Sequence, residues 1–210
     1  MGKTLYLPEN QCMKIIISSF CFLAVAFAGM TSDLTNDKQK SILVEEQVTD
    51  HSAYETMMKV LTHKRCVNCH PAGDRPRQGE GSHIHNFNVQ RGPDNHGVDG
   101  LKCATCHQEE NNIYSGVPGA PDWSLAPIEM RWEGLTKSQI AKSILDRSIN
   151  GNRSIEETVK HLTEHELVLW AWEPGVNANG EAREPAPVPL DEYIAAVKEW
   201  AANGAVVPED

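Results

Sequence analysis

The pattern Cys-x-x-Cys-His occurs twice in this chain, at residues 66–70 and at residues 103–107. This pattern is typical of covalent attachment of a c-type haem. Two thiols bond to the two vinyl groups of one porphyrin, a two-residue spacer lets both reach it from one turn of backbone, and the histidine ligates the iron. The sequence therefore predicts two haem c groups. The predicted attachment residues are Cys66, Cys69, Cys103 and Cys106, and the predicted proximal iron ligands are His70 and His107.

Paired Cys-x-x-Cys motifs also occur in two other kinds of site. Four thiolates at such separations can hold a structural zinc ion, and a single pair can act as a redox dithiol. Neither chemistry requires a histidine directly after the second cysteine, and this chain has one in both motifs. The sequence therefore favours haem over both alternatives.

An apolar run from Ile15 to Ala28 follows Lys14 and ends in Ala-Phe-Ala. This order is typical of a secretory signal peptide, so we predict a signal peptide over residues 1–28, with Met13 as an alternative start. The run is short for a bilayer span, and no membrane span is expected in the mature protein. Export to the periplasm fits the haem prediction, because covalent haem is attached outside the bacterial cytoplasm.

Cleavage of the predicted signal peptide would leave four cysteines, because Cys12 and Cys21 lie within it. All four belong to the haem motifs, so no thiol remains for a disulfide or for a cysteine nucleophile. The formal charge of the chain is -10. Nucleic acid is therefore not an expected partner, since its binding requires clustered Lys and Arg. Redox partner proteins are expected instead.

One dihaem cytochrome c domain is predicted over residues 51–210, after a tether over residues 29–50. The two motifs are thirty-seven residues apart, which is too short for a separate domain between the haems. The expected fold is mostly α, with cytochrome c-like helices and long loops wrapped around both haems.

Local patterns predict where the helices begin and end. Capping-box patterns at Ser52, Thr136 and Ser154 predict three helix starts, and a last helix is expected from Leu190 to a stop at Gly204. The segment between the motifs, residues 71–100, is rich in Gly, Pro, Asp and Asn and is predicted to be loop.

The distal ligand of each iron decides the function, because an iron closed on both faces can only transfer electrons, whereas an open one can bind or react with a small molecule. Beyond the two motifs the chain offers seven histidines and Met130 as donors; in the loop between the motifs we favour His85, with His83 and His96 behind it, and later in the chain Met130 and His161. Met130 lies in a Pro-rich loop without helical periodicity, so no core role is evident for it. His161 and His165 are four apart, hence on one helix face, and such a pair can also bind zinc, but no third ligand is evident.

Four runs of sequence extend beyond the haem motifs: RCVNCHPAGDRP, NVQRGPDNHGVDGLKCATCHQ, GVPGAPDWSLAPIEMRWEG, and LVLWAWEPG followed by REPAP. They resemble a group of small bacterial periplasmic dihaem proteins labelled isoquinoline 1-oxidoreductase subunit, over most of residues 60–205. The resemblance implies that His85, His96, Met130 and His161 are the distal candidates shared with that group. It also implies a periplasmic molybdenum hydroxylase or another dehydrogenase as partner. The chain has no molybdopterin or iron–sulfur motif and is not itself the hydroxylase.

The sequence thus predicts a periplasmic dihaem cytochrome that carries single electrons between a dehydrogenase and a downstream acceptor, without catalytic residues. A peroxidase-type enzyme or a gas-binding sensor would instead need one open iron. A peroxidase would also need an acid/base residue, for which Glu109, Glu110 or His96 could serve. The short chain and the ample supply of distal donors favour the electron carrier.

Overall fold

The computed structural model describes residues 51–209. The predicted signal peptide (1–28) and tether (29–50) lie outside these residues. Within the described part, no helix is long and apolar enough to cross a lipid bilayer.

Six α-helices occur between residues 51 and 209, joined by long irregular segments. They are α1 (Ser52–Leu61), α2 (Lys64–Val67), α3 (Lys137–Leu145), α4 (Ile155–Glu164), α5 (Glu166–Leu169) and α6 (Leu190–Ala202). Short 3-10 turns occur at Asn86–Asn88, Cys103–Thr105, Ile128–Met130 and Trp170–Trp172.

Two small antiparallel hairpins lie between the two cysteine motifs. Strand β1 (Arg77–Gln78) pairs with β2 (His83–Ile84), and β3 (Gly97–Val98) pairs with β4 (Leu101–Lys102). The loop prediction for residues 71–100 was therefore incomplete. Strands of two residues are too short to show the alternation by which a strand is recognised in a sequence.

Two of the three predicted capping boxes are present. The hydroxyls of Thr136 and Ser154 each accept a hydrogen bond from the backbone amide of the third helical residue. The side chain of that third residue in turn accepts a hydrogen bond from the backbone amide of the capping residue. The third prediction was wrong, because His51 is the N-cap of α1 and Ser52 is already helical. The helix that starts after Ser154 ends at Glu164, since the extended backbone of His165 separates α4 from α5.

The core forms where α6 packs between α1 and α4. Met57 and Met58 of α1 are fully buried there, together with Tyr54 and Leu61 one turn away on the same helix. Tyr193 and Val197 contribute from α6 and are likewise inaccessible to solvent. This core supports the first cysteine motif, because α2 follows α1 after only two residues.

Candidate functional site

Both Cys-x-x-Cys segments form the same backbone turn. The amide of Cys69 donates to the carbonyl of Cys66 at 3.1 Å, and the amide of Cys106 donates to the carbonyl of Cys103 at 3.1 Å. A turn of this length brings both side chains of a pair within reach of one planar group. All four side chains are free thiols.

The His70 ring is held at two places. Its Nδ1 lies 2.6 Å from the carbonyl oxygen of Met130, and its face stacks on Trp132 with the ring centroids 3.6 Å apart and the planes at 10°. A carbonyl oxygen can only accept, so Nδ1 carries the proton and Nε2 keeps its lone pair. Burial lowers the pKa of His70 to about 4. The ring is therefore neutral at physiological pH, as metal ligation requires.

The His107 ring is held in the same way. Its Nδ1 donates to the carbonyl of Pro118 at 2.7 Å, and its face stacks on Trp123 with centroids 4.5 Å apart and planes at 5°. Burial also lowers the pKa of His107. The chain can bring Pro118 to this ring because residue 119 is glycine: a Cβ there would lie 2.2 Å from the carbonyl oxygen of Glu110.

A cavity of about 300 Å³ opens beside the first motif. Cys66, Cys69 and His70 all line it, together with apolar side chains such as Leu162. A size in this range and largely apolar walls are typical of cofactor pockets. The residues around this cavity therefore fit a covalently attached haem.

The thiols of the first motif differ from those of a redox dithiol. Burial raises the pKa of Cys66 to about 12 and that of Cys69 to about 11. Reactive dithiols have a lowered pKa, because the thiolate is the nucleophile.

Three of the distal candidates line the cavity of the first motif: His96, Met130 and His161. His161 lies on α4, and burial lowers its pKa to about 4. The ring centroids of His161 and His165 are 4.9 Å apart, but the two do not share a helix face as predicted, because α4 ends at Glu164 and the backbone of His165 is extended. His96 is solvent-exposed at the edge of the same cavity, where its Nδ1 donates to the carbonyl of Asp94 at 2.6 Å.

Met130 occupies a position that its sequence context did not indicate. Its side chain is 9% exposed and belongs to the hydrophobic core. Its carbonyl holds Nδ1 of His70, so the backbone of Met130 lies behind that ring, on the side away from Nε2. A distal ligand would have to lie across the iron from Nε2. This position favours a role in orienting His70 over ligation at the first site.

His85 is the distal candidate that the structure brings to the second motif. Its ring centroid lies 6.1 Å from that of His107, with the ring planes at 70°. The side chain is half-buried, whereas its loop neighbours Ile84 and Phe87 are exposed.

Sequence reasoning missed two residues that join the motifs. Trp170 lines the first cavity, and its ring meets that of Trp123 edge-on with centroids 4.9 Å apart. The indole N–H of Trp170 donates to Asn111, four residues after His107, at 2.9 Å. Their residue types alone do not predict this contact, because the two residues are 59 positions apart in the sequence.

Among residues 51–209, no three His, Cys, Asp or Glu side chains converge on a point where they could hold a metal ion. A haem needs no such cluster, because the porphyrin itself supplies four of the ligands of its iron. Comparisons with protein-family models, curated proteins and solved structures found no match to this chain. The resemblance to the periplasmic dihaem group therefore stays a prediction from its motifs.

Proposed function

We propose that this protein is an exported dihaem c-type cytochrome that carries single electrons between a periplasmic dehydrogenase and a downstream acceptor. The observation that best supports this proposal is the repetition of one arrangement. In each motif a Cys-x-x-Cys turn ends in a histidine that stacks on an indole and donates from Nδ1 to a backbone carbonyl. Metal-ligating histidines are typically oriented by such a hydrogen bond on the other ring nitrogen.

Each residue of the two motifs has a definite role in this proposal. Cys66 and Cys69 attach one haem and Cys103 and Cys106 the other, while the two histidines present Nε2 to the irons. The carbonyl acceptors raise the basicity of the imidazoles and fix their orientation. Bound haem supplies one-electron chemistry at its iron. The chain contributes position, burial and an exposed edge, and no side chain has to act as acid or base.

The acidic character of the chain bears on the class of partner. Its formal charge is -10, so a positively charged face on a redox protein would be steered towards it. A molybdenum hydroxylase or another dehydrogenase is the proposed donor. Association should then slow as ionic strength rises, because salt screens exposed charges.

The proposal is tested by expressing the full chain in a bacterial host with a haem c maturation system. Intact mass and the pyridine haemochrome spectrum should give two haems per chain. The paired variant Cys103→Ala/Cys106→Ala should retain one, and so should Cys66→Ala/Cys69→Ala. A protein that carries zinc and no haem would overturn the proposal in favour of a structural metal site.

Carbon monoxide separates the electron carrier from the open-iron alternatives. The dithionite-reduced protein should show no spectral change with carbon monoxide if protein ligands close both irons. A change in about half of the haem absorbance would instead indicate one open iron, as in a peroxidase or a gas sensor.

A further inference from the structure

We propose that His85 is the distal ligand of the iron held by His107, so that histidine closes this iron on both faces. This inference rests on the proposed function and adds the ligand set of its second site. The ring centroids of the two histidines are 6.1 Å apart. Two imidazoles that each place Nε2 about 2 Å from one metal ion, on opposite sides of it, have centroids about 6 Å apart. The observed separation therefore matches ligation of a single iron.

Both rings also have the tautomer that ligation requires. Nδ1 of His85 donates to the carbonyl of Asn86 at 2.8 Å, and Nδ1 of His107 donates to the carbonyl of Pro118. In each ring Nε2 therefore keeps its lone pair. The same hydrogen bond that orients the proximal ring is thus present on the proposed distal one.

The backbone of His85 is fixed, unlike that of a solvated loop histidine. Its N–H donates to the carbonyl of Pro76 at 2.9 Å, and its carbonyl accepts from the guanidinium of Arg75 at 3.3 Å. The amide of Asn86, the next residue, donates to the side chain of Gln78 at 2.9 Å. These bonds place the ring at the end of the β1–β2 hairpin.

The other candidate donors lie elsewhere in the described part of the chain. His96, Met130 and His161 all line the cavity of the first motif, and the carbonyl of Met130 accepts from the proximal ring of that motif. His83 is two residues from His85, but its exposed ring packs over the backbone of Gly79.

The angle between the ring planes gives a spectroscopic expectation. The planes of His85 and His107 are 70° apart, and Trp123 stacks on one of them. Nearly perpendicular imidazole planes give low-spin ferric haem an electron paramagnetic resonance signal with one unusually large g value. One of the two ferric haems in the wild-type protein should show this signal.

The test compares His85→Ala with the matched control His83→Ala, both in the full haem-loaded chain. His85→Ala should keep two haems by mass, because attachment depends on the thioethers, and should bind carbon monoxide at about half of its haem. The large-g signal should disappear. His83→Ala should bind no carbon monoxide and should keep the signal.

A second variant, His85→Met, guards against a folding defect in His85→Ala. It should close the iron again, add the near-infrared band of methionine-ligated ferric haem and raise one reduction potential. Two haems by mass without carbon monoxide binding in His85→Ala, or without the methionine band in His85→Met, would overturn the assignment of His85. Absence of haem from the wild-type protein would instead overturn the proposed function, so the two failures are distinguishable.

Discussion

Replacing Trp132 should destabilise the protein more than replacing Trp123, although both indoles stack on a proximal histidine. Trp132 is 4% exposed and lies in the hydrophobic core, and its Nε1–H donates to the hydroxyl of Ser143 at 3.2 Å. Trp123 is only half-buried. The two stacks are otherwise comparable, since both pairs of ring planes are within 10° of parallel.

The magnitude follows from what each substitution removes. Truncation of a buried tryptophan to alanine costs about 3–5 kcal/mol, so Trp132→Ala should lower the free energy of unfolding by that amount. Trp132→Phe keeps an aromatic ring in the core and loses mainly the hydrogen bond to Ser143, which costs about 1 kcal/mol, because that hydroxyl still donates to the carbonyl of Ile140 at 2.7 Å. Trp123→Ala removes a partly solvated ring and should cost about 1–2 kcal/mol.

Guanidinium unfolding of the haem-loaded protein, followed by far-ultraviolet circular dichroism, measures these differences. Thermal scans should show the same order, with a midpoint lowered by about 10 °C for Trp132→Ala. Equal losses for Trp132→Ala and Trp123→Ala would refute the reasoning, because burial would then not decide the contribution of either indole.

Three further changes test separate features. Ser154→Ala removes the N-cap of α4 and should lower the free energy of unfolding by about 1 kcal/mol in denaturant titrations; no loss would contradict the capping role. The pKa of Glu133 is lowered, chiefly by the hydrogen bond that the backbone amide of Ala72 donates to its carboxylate. The carboxylate of Glu133 should therefore contribute fully to stability above the unfolded pKa of about 4.5, and this contribution should be lost as pH falls through the folded pKa. The free energy of unfolding, measured from pH 7 to pH 3, should depend less on pH in Glu133→Gln than in the wild-type protein. An identical pH dependence would exclude the contribution. Gly119→Ala should displace the Pro118 carbonyl and shift one reduction potential, because its Cβ would meet Glu110; an unchanged redox titration would contradict this.

The residues of the two motifs could be predicted from the sequence because their chemistry depends on residue type at a fixed local spacing. The partners of the proximal rings could not. His70 donates to a carbonyl 60 residues away, and every residue type carries a carbonyl, so no letter of the sequence marks Met130 for that role. The apolar side chain of Met130 likewise became core through tertiary packing, not through helical periodicity.

His85 illustrates the same limit from the other side. Its residue type made it a candidate ligand, but the sequence could not assign it to either motif. That assignment depends on where the β1–β2 hairpin ends. Strands of two residues are too short to show the alternation of apolar and polar residues from which a strand is predicted. The distance to His107 came only with the fold.

The two motifs share one design but lie in different surroundings, and this difference gives the proposed electron transfer a direction. The first motif lines a largely apolar cavity beside the helical core, whereas Cys106 of the second is exposed. Burial disfavours the extra positive charge of the ferric state, so with similar ligands the first haem should have the higher reduction potential. An electron would then enter at the exposed second site and move energetically downhill to the first. Trp123 and Trp170, in contact with each other, lie between the second motif and the cavity of the first.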